Sequence, residues 1–380
     1  MKGATTILVT AVAGLLALGL VMLYSASMAQ TGARYLTMQM AWGGIGLVAC
    51  MAATVFDYRW LQRLALPITA LTLLLLLLVL IPGIGVMKNG ARRWFDLGLM
   101  HFQPSELAKI GIIIGLAAYG ARFRDKMHTL KYGLLIPGGI LALALGMIFR
   151  EPDFGTTLLI AAVGAMLLLV AGANWKFVIP PAIAGMGMFA VAVFHDPMRM
   201  KRIMAFLHPE EHRSDTGYQA YQAMLALGNG GTTGLGLGNG RQKMGFVPEH
   251  HTDFIFSIIG EELGVVATLG VVGAYMVLVV CGLYIAWKCG NRFGQLLGVG
   301  ITFLIGMQAF INIGVVTSAL PNKGLPLPFI SYGGSSLVFM LTAVGLLLSI
   351  ANYAAEPEPE FAPIADDEEP DAGNPFIEAP

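Results

Sequence analysis

Long apolar blocks dominate the sequence and restrict the fold more than any other feature. The 380 residues are 56% hydrophobic and only 12% charged. An α-helix rises 1.5 Å per residue, so about 20 apolar residues cross the roughly 30 Å hydrocarbon core of a bilayer. Such blocks begin near positions 4, 36, 60, 105, 131, 154, 175, 254, 291 and 332. The sequence therefore predicts an all-α polytopic membrane protein with about ten transmembrane helices and one long loop between helices 7 and 8.

Charge divides the chain into a membrane domain, residues 1–354, and a tail, residues 355–380. The tail holds nine acidic residues and no basic one, so the membrane domain carries 23 basic against 14 acidic residues. The acidic, proline-rich tail buries too little apolar surface to fold, and we expect it to be disordered. A solubilising terminus and a docking segment for a partner both fit this composition.

Lysine and arginine residues in the short loops predict the orientation. With the N-terminus in the cytoplasm, the cytoplasmic turns hold nine of them and the opposite short loops hold six. This bias predicts that both termini are cytoplasmic and that residues 195–252 form the long extracytoplasmic loop. The nine are Arg59, Arg63, Arg122, Arg124, Lys126, Lys131, Lys176, Lys288 and Arg292, and the six are Arg34, Lys88, Arg92, Arg93, Arg150 and Lys323.

Three of the outer basic residues fall together in MKNGARRWFDLG, residues 87–98. Lys88, Arg92 and Arg93 predict a cationic site for an anionic ligand. Alternatively, they bind anionic lipid headgroups, with Trp94 and Phe95 as ordinary interface aromatics.

Charged residues also lie inside the fourth predicted helix. Pro104 and Ser105 are typical of a first helical turn, and Glu106 and Lys109 follow at i, i+3 spacing on one face. Charges in a membrane helix cost about 2.5 to 3.5 kcal/mol each on insertion scales and face a bundle interior or an aqueous cavity. We expect Glu106 and Lys109 to pair and to line a site.

The turn REPDFGTT places Glu151 and Asp153 at an outer helix boundary. Acidic residues at such a position are either site residues or, in the case of Asp153 or Thr156, helix caps. The sequence leaves both roles open.

The outer loop contains two predicted helices and a glycine-rich stretch. DPMRMKRIMAFLHPEEH and GYQAYQAMLALGNGG predict amphipathic helices suited to a membrane surface. Eight glycines then lie between Gly228 and Gly245, which allows backbone N–H groups to approach a ligand closely. No Gly-Lys-Ser/Thr motif is present, which excludes a nucleotide-binding P-loop.

The stretch PEHHTDFIFSIIGEELG, residues 248–264, passes from a polar loop into an apolar helix and carries acidic residues across the change. At the mouth of that helix, Asp253 suits either an N-cap or a general base whose proton affinity is raised by partial desolvation. Helical spacing favours an inward Glu261 and places Glu262 on the far side. The leading role for either glutamate is to pair with a buried cation such as Lys109.

Metal-ligating residue types lack the required spacing. His250 and His251 are adjacent, so in an extended loop they point opposite ways. The cysteines, Cys50, Cys281 and Cys289, lie in separate positions of the apolar blocks. We predict no protein-bound metal site.

Prolines stiffen the segment PNKGLPLPFISYGG before its glycine-rich turn. Such a segment can gate a cavity near Asp253 or present a fixed surface to a partner. A plain rigid turn between helices 9 and 10 fits the same residues.

Six motifs resemble those of the SEDS family, the shape, elongation, division and sporulation membrane proteins. They occur in the family's order across residues 5–354 and are GARRWFDLG, FQPSELAK, EPDFGT, GYQAYQA, GLGLGNGRQKMGFVPEHHTDFIFSIIGEELG and PNKGLPLPFISYGGSS. The last motif and the extended tail are more similar to the division member than to the elongation or sporulation members. The chain departs from the family at Asn229, where relatives more often have Ser, and at Glu151, which often appears as Gln.

The resemblance implies a peptidoglycan glycosyltransferase of the bacterial cytoplasmic membrane that polymerises lipid II for septal wall synthesis in cell division. It implies Asp253 as the essential catalytic base. The implied partners are a class B penicillin-binding protein and other division membrane proteins, with no nucleic acid. No cofactor is expected, although a divalent cation would suit the diphosphate. The candidate substrate-binding residues are Lys109, Glu106, Arg92, Arg93, Lys88, Glu151, Asp153, Lys323 and Ser331.

Two other functional classes fit the residues. A lipid II flippase would also need charged cavity residues and a cation cluster, but it has no obligatory base. A non-catalytic scaffold suits the acidic tail and the aromatic outer loops, but leaves Glu106, Lys109 and Asp253 unexplained. The elongation polymerase of the same family would share the chemistry and differ in its biological role.

Overall fold

Thirteen α-helices and three short β-strands form the part of the chain that the computed structural model describes: residues 1–88, 91–96, 98, 101–208, 211–212, 217–244 and 252–354. The predictions for the tail and for His250 and His251 lie outside these residues. The helices are α1 (Lys2–Thr31), α2 (Arg34–Val55), α3 (Arg59–Arg63), α4 (Ala65–Leu80), α5 (Pro104–Arg122), α6 (Ile136–Arg150), α7 (Phe154–Ala171), α8 (Trp175–Phe194), α9 (Pro197–Leu207), α10 (Tyr218–Gly230), α11 (Ile255–Lys288), α12 (Arg292–Val316) and α13 (Gly334–Tyr353).

Ten of these helices match the ten predicted apolar blocks. Eight are long and apolar enough to cross a membrane: α1, α2, the segment Lys131–Arg150 that contains α6, α7, α8, α11, α12 and α13. The other two are α4, which is apolar but only 16 residues long, and α5, which carries Glu106 and Lys109 in its first two turns. The predicted all-α polytopic class is confirmed, and the chain is a multi-pass membrane protein.

The chain runs back and forth between two ends of the helix bundle. One of them, which we call the loop end, holds the connections that follow α4, α6, α8 and α12. Contacts between these connections, such as Arg93 with the turn after α6 and Asn322 with α10, show that they lie together. The two amphipathic helices predicted in the long loop are confirmed as α9 and α10.

Helices α5 and α12 lie at the centre of the bundle. Fourteen of the 19 residues of α5 and 17 of the 25 residues of α12 are buried, so these helices face protein rather than lipid. Close packing is possible because Gly111 and Gly115 of α5 lie against Thr72 and Thr69 of α4. A Cβ at either glycine would come within 2.3 Å of a threonine Oγ1. The charged residues of α5 are therefore inside the protein.

A small antiparallel sheet, which the apolar pattern of the sequence does not predict, directly precedes α5. Its strands are β1 (Val86–Lys88), β2 (Ala91–Asp96) and β3 (His101–Phe102), in the order β1–β2–β3. Strand β2 contains both Arg92 and Arg93. Adjacent residues of a strand point to opposite faces, so the sheet separates these two side chains.

Helix α11 is broken at Gly264, whose φ of 76° and ψ of −173° lie outside the helical region. The nine residues 255–263 rise only about 14 Å, which is too short to cross a membrane. The 24 residues 265–288 rise about 36 Å and are long enough. The break leaves backbone groups on both sides without partners within the helix.

Residues 231–244, which we call the glycine-rich segment, satisfy these backbone groups. This segment runs alongside the break and exchanges four hydrogen bonds with it, because its glycines allow close backbone approach. The bonds run from Leu235 N to Glu261 O (3.0 Å), Gly236 N to Glu262 O (3.0 Å), Val265 N to Gly231 O (3.0 Å) and Val266 N to Thr232 O (3.4 Å).

Candidate active site

Asp253 lies in the turn that leads into α11, against the loop that follows α12. A Cβ built on Gly324 would be 2.6 Å from Asp253 Oδ2, so the carboxylate packs directly on the backbone of that loop. Asn312 of α12 donates from Nδ2 to the main-chain oxygen of Asp253 at 2.8 Å. The N-cap residue of α11 is Phe254, which places Asp253 one residue before the cap position.

Ser331 fixes the residue before Asp253. Its hydroxyl donates to Thr252 O at 2.6 Å and accepts a hydrogen bond from Leu327 N at 2.8 Å. Ser331 is buried. Its hydroxyl therefore holds two loops together beside Asp253.

Glu106 and Lys109 form the predicted ion pair at the start of α5. The distance from Lys109 Nζ to Glu106 Oε1 is 2.8 Å, and the two side chains are 0% and 5% exposed. Lys109 Nζ also donates to Gln308 Oε1 of α12 at 3.0 Å. Within the described part of the chain, Glu106 Oε2 is buried without a hydrogen-bond partner. Removing either charge would leave the other one buried and unpaired.

The predicted cationic cluster is divided in the structure. Arg93 binds the turn after α6, donating from Nε to Glu151 O and from Nη2 to Pro152 O, both at 2.7 Å. Arg92 is half-buried on the same strand. Lys88 belongs to β1, and its side chain lies outside the described part of the structure.

Glu151 is fully buried, and within the described residues neither of its carboxylate oxygens has a hydrogen-bond partner. Burial raises the pKa of Glu151 to about 9; the charge of Asp153 adds to this rise and that of Arg93 opposes it. The side chain is therefore a neutral carboxylic acid at pH 7.

Asp153 has the geometry of a helix cap, one of the two roles left open by the sequence. Its carboxylate accepts hydrogen bonds from Thr156 N at 3.1 Å and Thr156 Oγ1 at 3.0 Å. Gln103, just before α5, donates to the same carboxylate at 3.2 Å. Asp153 thus joins the start of α7 to the start of α5.

Lys323 lies on an aromatic cluster at the loop end. Its Nζ is 4.7 Å from the ring centre of Phe189, and burial lowers the pKa of Lys323. Phe189 packs edge to face on Phe154, whose ring is 3.8 Å from the guanidinium carbon of Arg199. This cluster fixes both α9 and the loop that contains Lys323 to the bundle.

Glu261 and Glu262 are both fully buried, so the expectation that Glu262 faces away is wrong. Glu262 is buried because the glycine-rich segment, which bonds to α11 on both sides of Gly264, covers the face of the helix that carries this residue. Glu262 pairs with Lys243, at 2.6 Å, and not with Lys109. Ser25 of α1 also donates to Glu262, at 2.6 Å.

The glycine-rich segment donates its N–H groups to these glutamates. Gly238 N donates to Glu262 at 2.9 Å, and Arg241 N donates to Glu261 at 2.9 Å. The eight glycines predict close approach of such groups to a ligand. In the structure, these N–H groups bind the protein's own carboxylates instead.

A family model described as "Cell cycle protein", which covers FtsW, RodA and SpoVE, matches residues 6–356. The chain belongs to this family. The predicted membership of the SEDS family is thereby confirmed. The match extends over all the elements that position Asp253 and the Glu106–Lys109 pair.

Members of the family from other bacteria are similar over nearly their whole length. The protein named probable peptidoglycan glycosyltransferase FtsW from Trichlorobacter lovleyi is 40% identical over 351 residues, which is 91% of this chain and 92% of the relative. The protein of the same name from Geobacter metallireducens is 41% identical over 351 residues, covering 91% and 93%.

Solved structures of family members share the fold. The rod shape determining protein RodA of Thermus thermophilus is 29% identical with a TM-score of 0.69, covering 92% of this chain and 97% of that one. A chain of a peptidoglycan synthase complex, whose structure concerns the coordination of polymerization and crosslinking, is 31% identical with a TM-score of 0.78, covering 92% and 98%.

Proposed function

We propose that this chain, a peptidoglycan glycosyltransferase, polymerises lipid II for septal wall synthesis with Asp253 as the general base. One observation carries the assignment of the base: the Asp253 carboxylate packs on Gly324 in a turn that α12 and Ser331 hold in place. A side chain held in this way is suited to accept a proton in one defined position.

The reaction needs a base at one bond and a cation at another. A hydroxyl of one glycan attacks the anomeric carbon of a lipid-linked disaccharide, and the new glycosidic C–O bond forms as the bond to the diphosphate breaks. Asp253 accepts the hydroxyl proton. The diphosphate leaves on its lipid, and the charge that develops on it is stabilised by nearby cations.

Lys109, Arg92 and Lys323 are the cations that we assign to the diphosphate. Lys109 has three N–H donors and uses two of them on Glu106 and Gln308, which leaves one for a ligand oxygen. Arg93, Asp153 and Ser331 bond to other parts of the protein, which suits a role in holding the site together rather than in binding the diphosphate. A divalent cation at the diphosphate and a ligand role for Glu151 stay predictions.

The loop end faces outward in this proposal, and the membrane is the bacterial cytoplasmic membrane. The excess of basic residues in the opposite short loops supports this orientation. Lipid II then reaches Asp253 from the outer leaflet, and both termini are cytoplasmic.

An exposed seam on α11 supports a membrane-spanning partner, which we propose to be a class B penicillin-binding protein acting with other division proteins. Exposed apolar side chains repeat along α11 at alternating spacings of three and four residues, the pattern by which two helices pack. Gly273 interrupts them, and a Cβ there would have no neighbour within 4 Å. The seam residues are Val266, Leu269, Met276, Val280, Leu283 and Trp287.

Substitution of Asp253 by Asn tests the proposed base. We expect Asp253→Asn to lower the rate of glycan polymerisation from purified lipid II by about 10² to 10⁴, because a positioned base contributes that much. The matched control is Asp196→Asn, since Asp196 is also at the loop end but pairs with Arg199. A near-normal polymerisation rate for Asp253→Asn would refute the assignment of the base. If the parent protein translocates lipid II but does not polymerise it, the flippase alternative would be favoured.

A further inference from the structure

Helix α12 carries two buried amide side chains one turn apart, Gln308 and Asn312. A buried amide is costly in a membrane helix unless its polar atoms find hydrogen-bond partners. Positions i and i+4 lie on one face, about 6 Å apart along the axis. Both side chains therefore act at the same side of α12.

Asn312 joins the turn that contains Asp253 to the loop after α12. Its Nδ2 donates to Asp253 O at 2.8 Å and to Leu325 O at 2.6 Å. Both amide hydrogens are thus used. The opposite amide orientation would place Oδ1 against two carbonyl oxygens, so only one orientation satisfies the contacts.

Gln308 joins the ion pair of α5 to the next residue of the same loop. Its Oε1 accepts a hydrogen bond from Lys109 Nζ at 3.0 Å, and its Nε2 donates to Pro326 O at 2.8 Å. The carbonyls of Leu325 and Pro326 are consecutive. One face of α12 therefore holds the loop at two adjacent points.

Two amides that served only to anchor this loop would need only the bonds to Leu325 and Pro326. In addition, Asn312 holds the backbone of Asp253, and Gln308 holds the ammonium group of Lys109. These extra bonds connect the two groups that the reaction uses. The separation of base and cation is therefore set by one helical turn of α12.

We propose that Asn312 and Gln308 are positioning residues that fix Asp253 relative to Lys109, an inference that rests on the proposed function. Neither amide needs to touch the substrate for this role. A displacement of about 1 Å at a reacting group can cost about 10²-fold in rate. Loss of either tether therefore lowers turnover more than it weakens lipid II binding.

The test compares Asn312→Asp with Asn322→Asp in the full-length protein, using purified lipid II. Asn312→Asp is isosteric but has no N–H donor: as a carboxylate it loses both hydrogen bonds, and as a carboxylic acid its single O–H can replace only one of them. Asn322 is an amide of the same loop that bonds to Gln219 instead, which makes it the matched control. We expect kcat, measured per folded molecule, to fall about 10- to 100-fold for Asn312→Asp with KM for lipid II changed less than threefold. The control should keep the parental kcat.

A second variant guards against simple misfolding. Gln308→Glu keeps an acceptor for Lys109 but loses the donor to Pro326 O, and we expect a smaller fall in kcat, again with little change in KM. If Asn312→Asp and Gln308→Glu both keep the parental kcat while Asp253→Asn is inactive, the positioning role is wrong and the proposed function stands. The positioning role would also be wrong if KM rises by the same factor as kcat falls, and if the control Asn322→Asp shows the same changes as the two variants. Full activity of Asp253→Asn would instead refute the proposed function itself.

Discussion

Substituting Glu151 by Gln should make this protein more stable at high pH and leave its stability at low pH unchanged. The Glu151 side chain is fully buried, and burial raises its pKa to about 9 from 4.5. Between these two values the folded chain keeps a proton that the unfolded chain releases. The free energy of unfolding therefore falls as pH rises through this window, and levels off above pH 9.

The size of the effect follows from the width of the window. Each pH unit between 4.5 and 9 lowers the free energy of unfolding by about 1.4 kcal/mol. From pH 5 to pH 8 the parent should lose about 4 kcal/mol through this one group. Glutamine has the same shape and no proton to lose, so Glu151→Gln removes this dependence.

Thermal unfolding in detergent can measure the difference, with a thiol-reactive dye that reports exposure of the buried Cys281 and Cys289. We expect the melting temperature of Glu151→Gln to match the parent at pH 5 and to exceed it by several degrees at pH 8. Glu211→Gln, at an exposed position, is the control and should follow the parent at both values. A gap that is the same at pH 5 and pH 8, or a variant less stable at pH 8, would refute the reasoning.

Three further predictions follow from buried charges and from the α11 seam. Lys109→Met should destabilise the protein by about 3 to 5 kcal/mol, because it leaves the Glu106 carboxylate buried without its cation. Adding Glu106→Gln should restore the melting temperature but not the polymerisation rate; recovery of both would show that Lys109 has no role at the diphosphate. Lys243→Met should expose the glycine-rich segment to limited proteolysis, because Glu262 loses its cation. The double variant Lys243→Met/Glu262→Gln should be protected again. Equal cleavage of the two variants would contradict this prediction. The isolated protein should polymerise lipid II slowly, and its class B penicillin-binding protein should raise the rate several-fold by populating the competent conformation. Gly273→Leu should abolish this stimulation and leave the basal rate intact; a partner-independent parent would disprove the coupling.

Local patterns were sufficient to predict most of the fold. Ten of the thirteen described helices coincide with the ten apolar blocks, because helices buried in a membrane protein consist largely of continuous apolar residues. The pairing of Glu106 with Lys109 was also predictable, since i, i+3 positions face each other on one helix. The role of Asp253 was predicted from its motif and its place at a helix entrance, and it stays a prediction.

Predictions from the sequence are wrong where a residue bonds to a segment that is distant along the chain. The prediction for Glu262 used the helical spacing of residues 255–263, which the structure retains, but the glycine-rich segment covers the far side of this helix. The actual partners of Glu262 are 19 and 237 residues away along the chain, at Lys243 and Ser25, beyond the reach of any periodicity. Asn312 and Gln308 were missed because neutral amides add no charge to an apolar block. Their only local signal was the i, i+4 spacing within α12.

The glycine-rich segment has the irregular backbone of a loop, but we expect it to tolerate insertions as poorly as a strand within a β-sheet does. Loops usually accept insertions, because their backbone bonds to water and can shift. Residues 231–236 instead match donors and acceptors one by one with the two sides of the break in α11. One inserted residue would move every partner out of register at once, as a slipped strand does. Epitope tags and deletions between Gly231 and Gly236 should therefore be as damaging as changes in the core of a transmembrane helix.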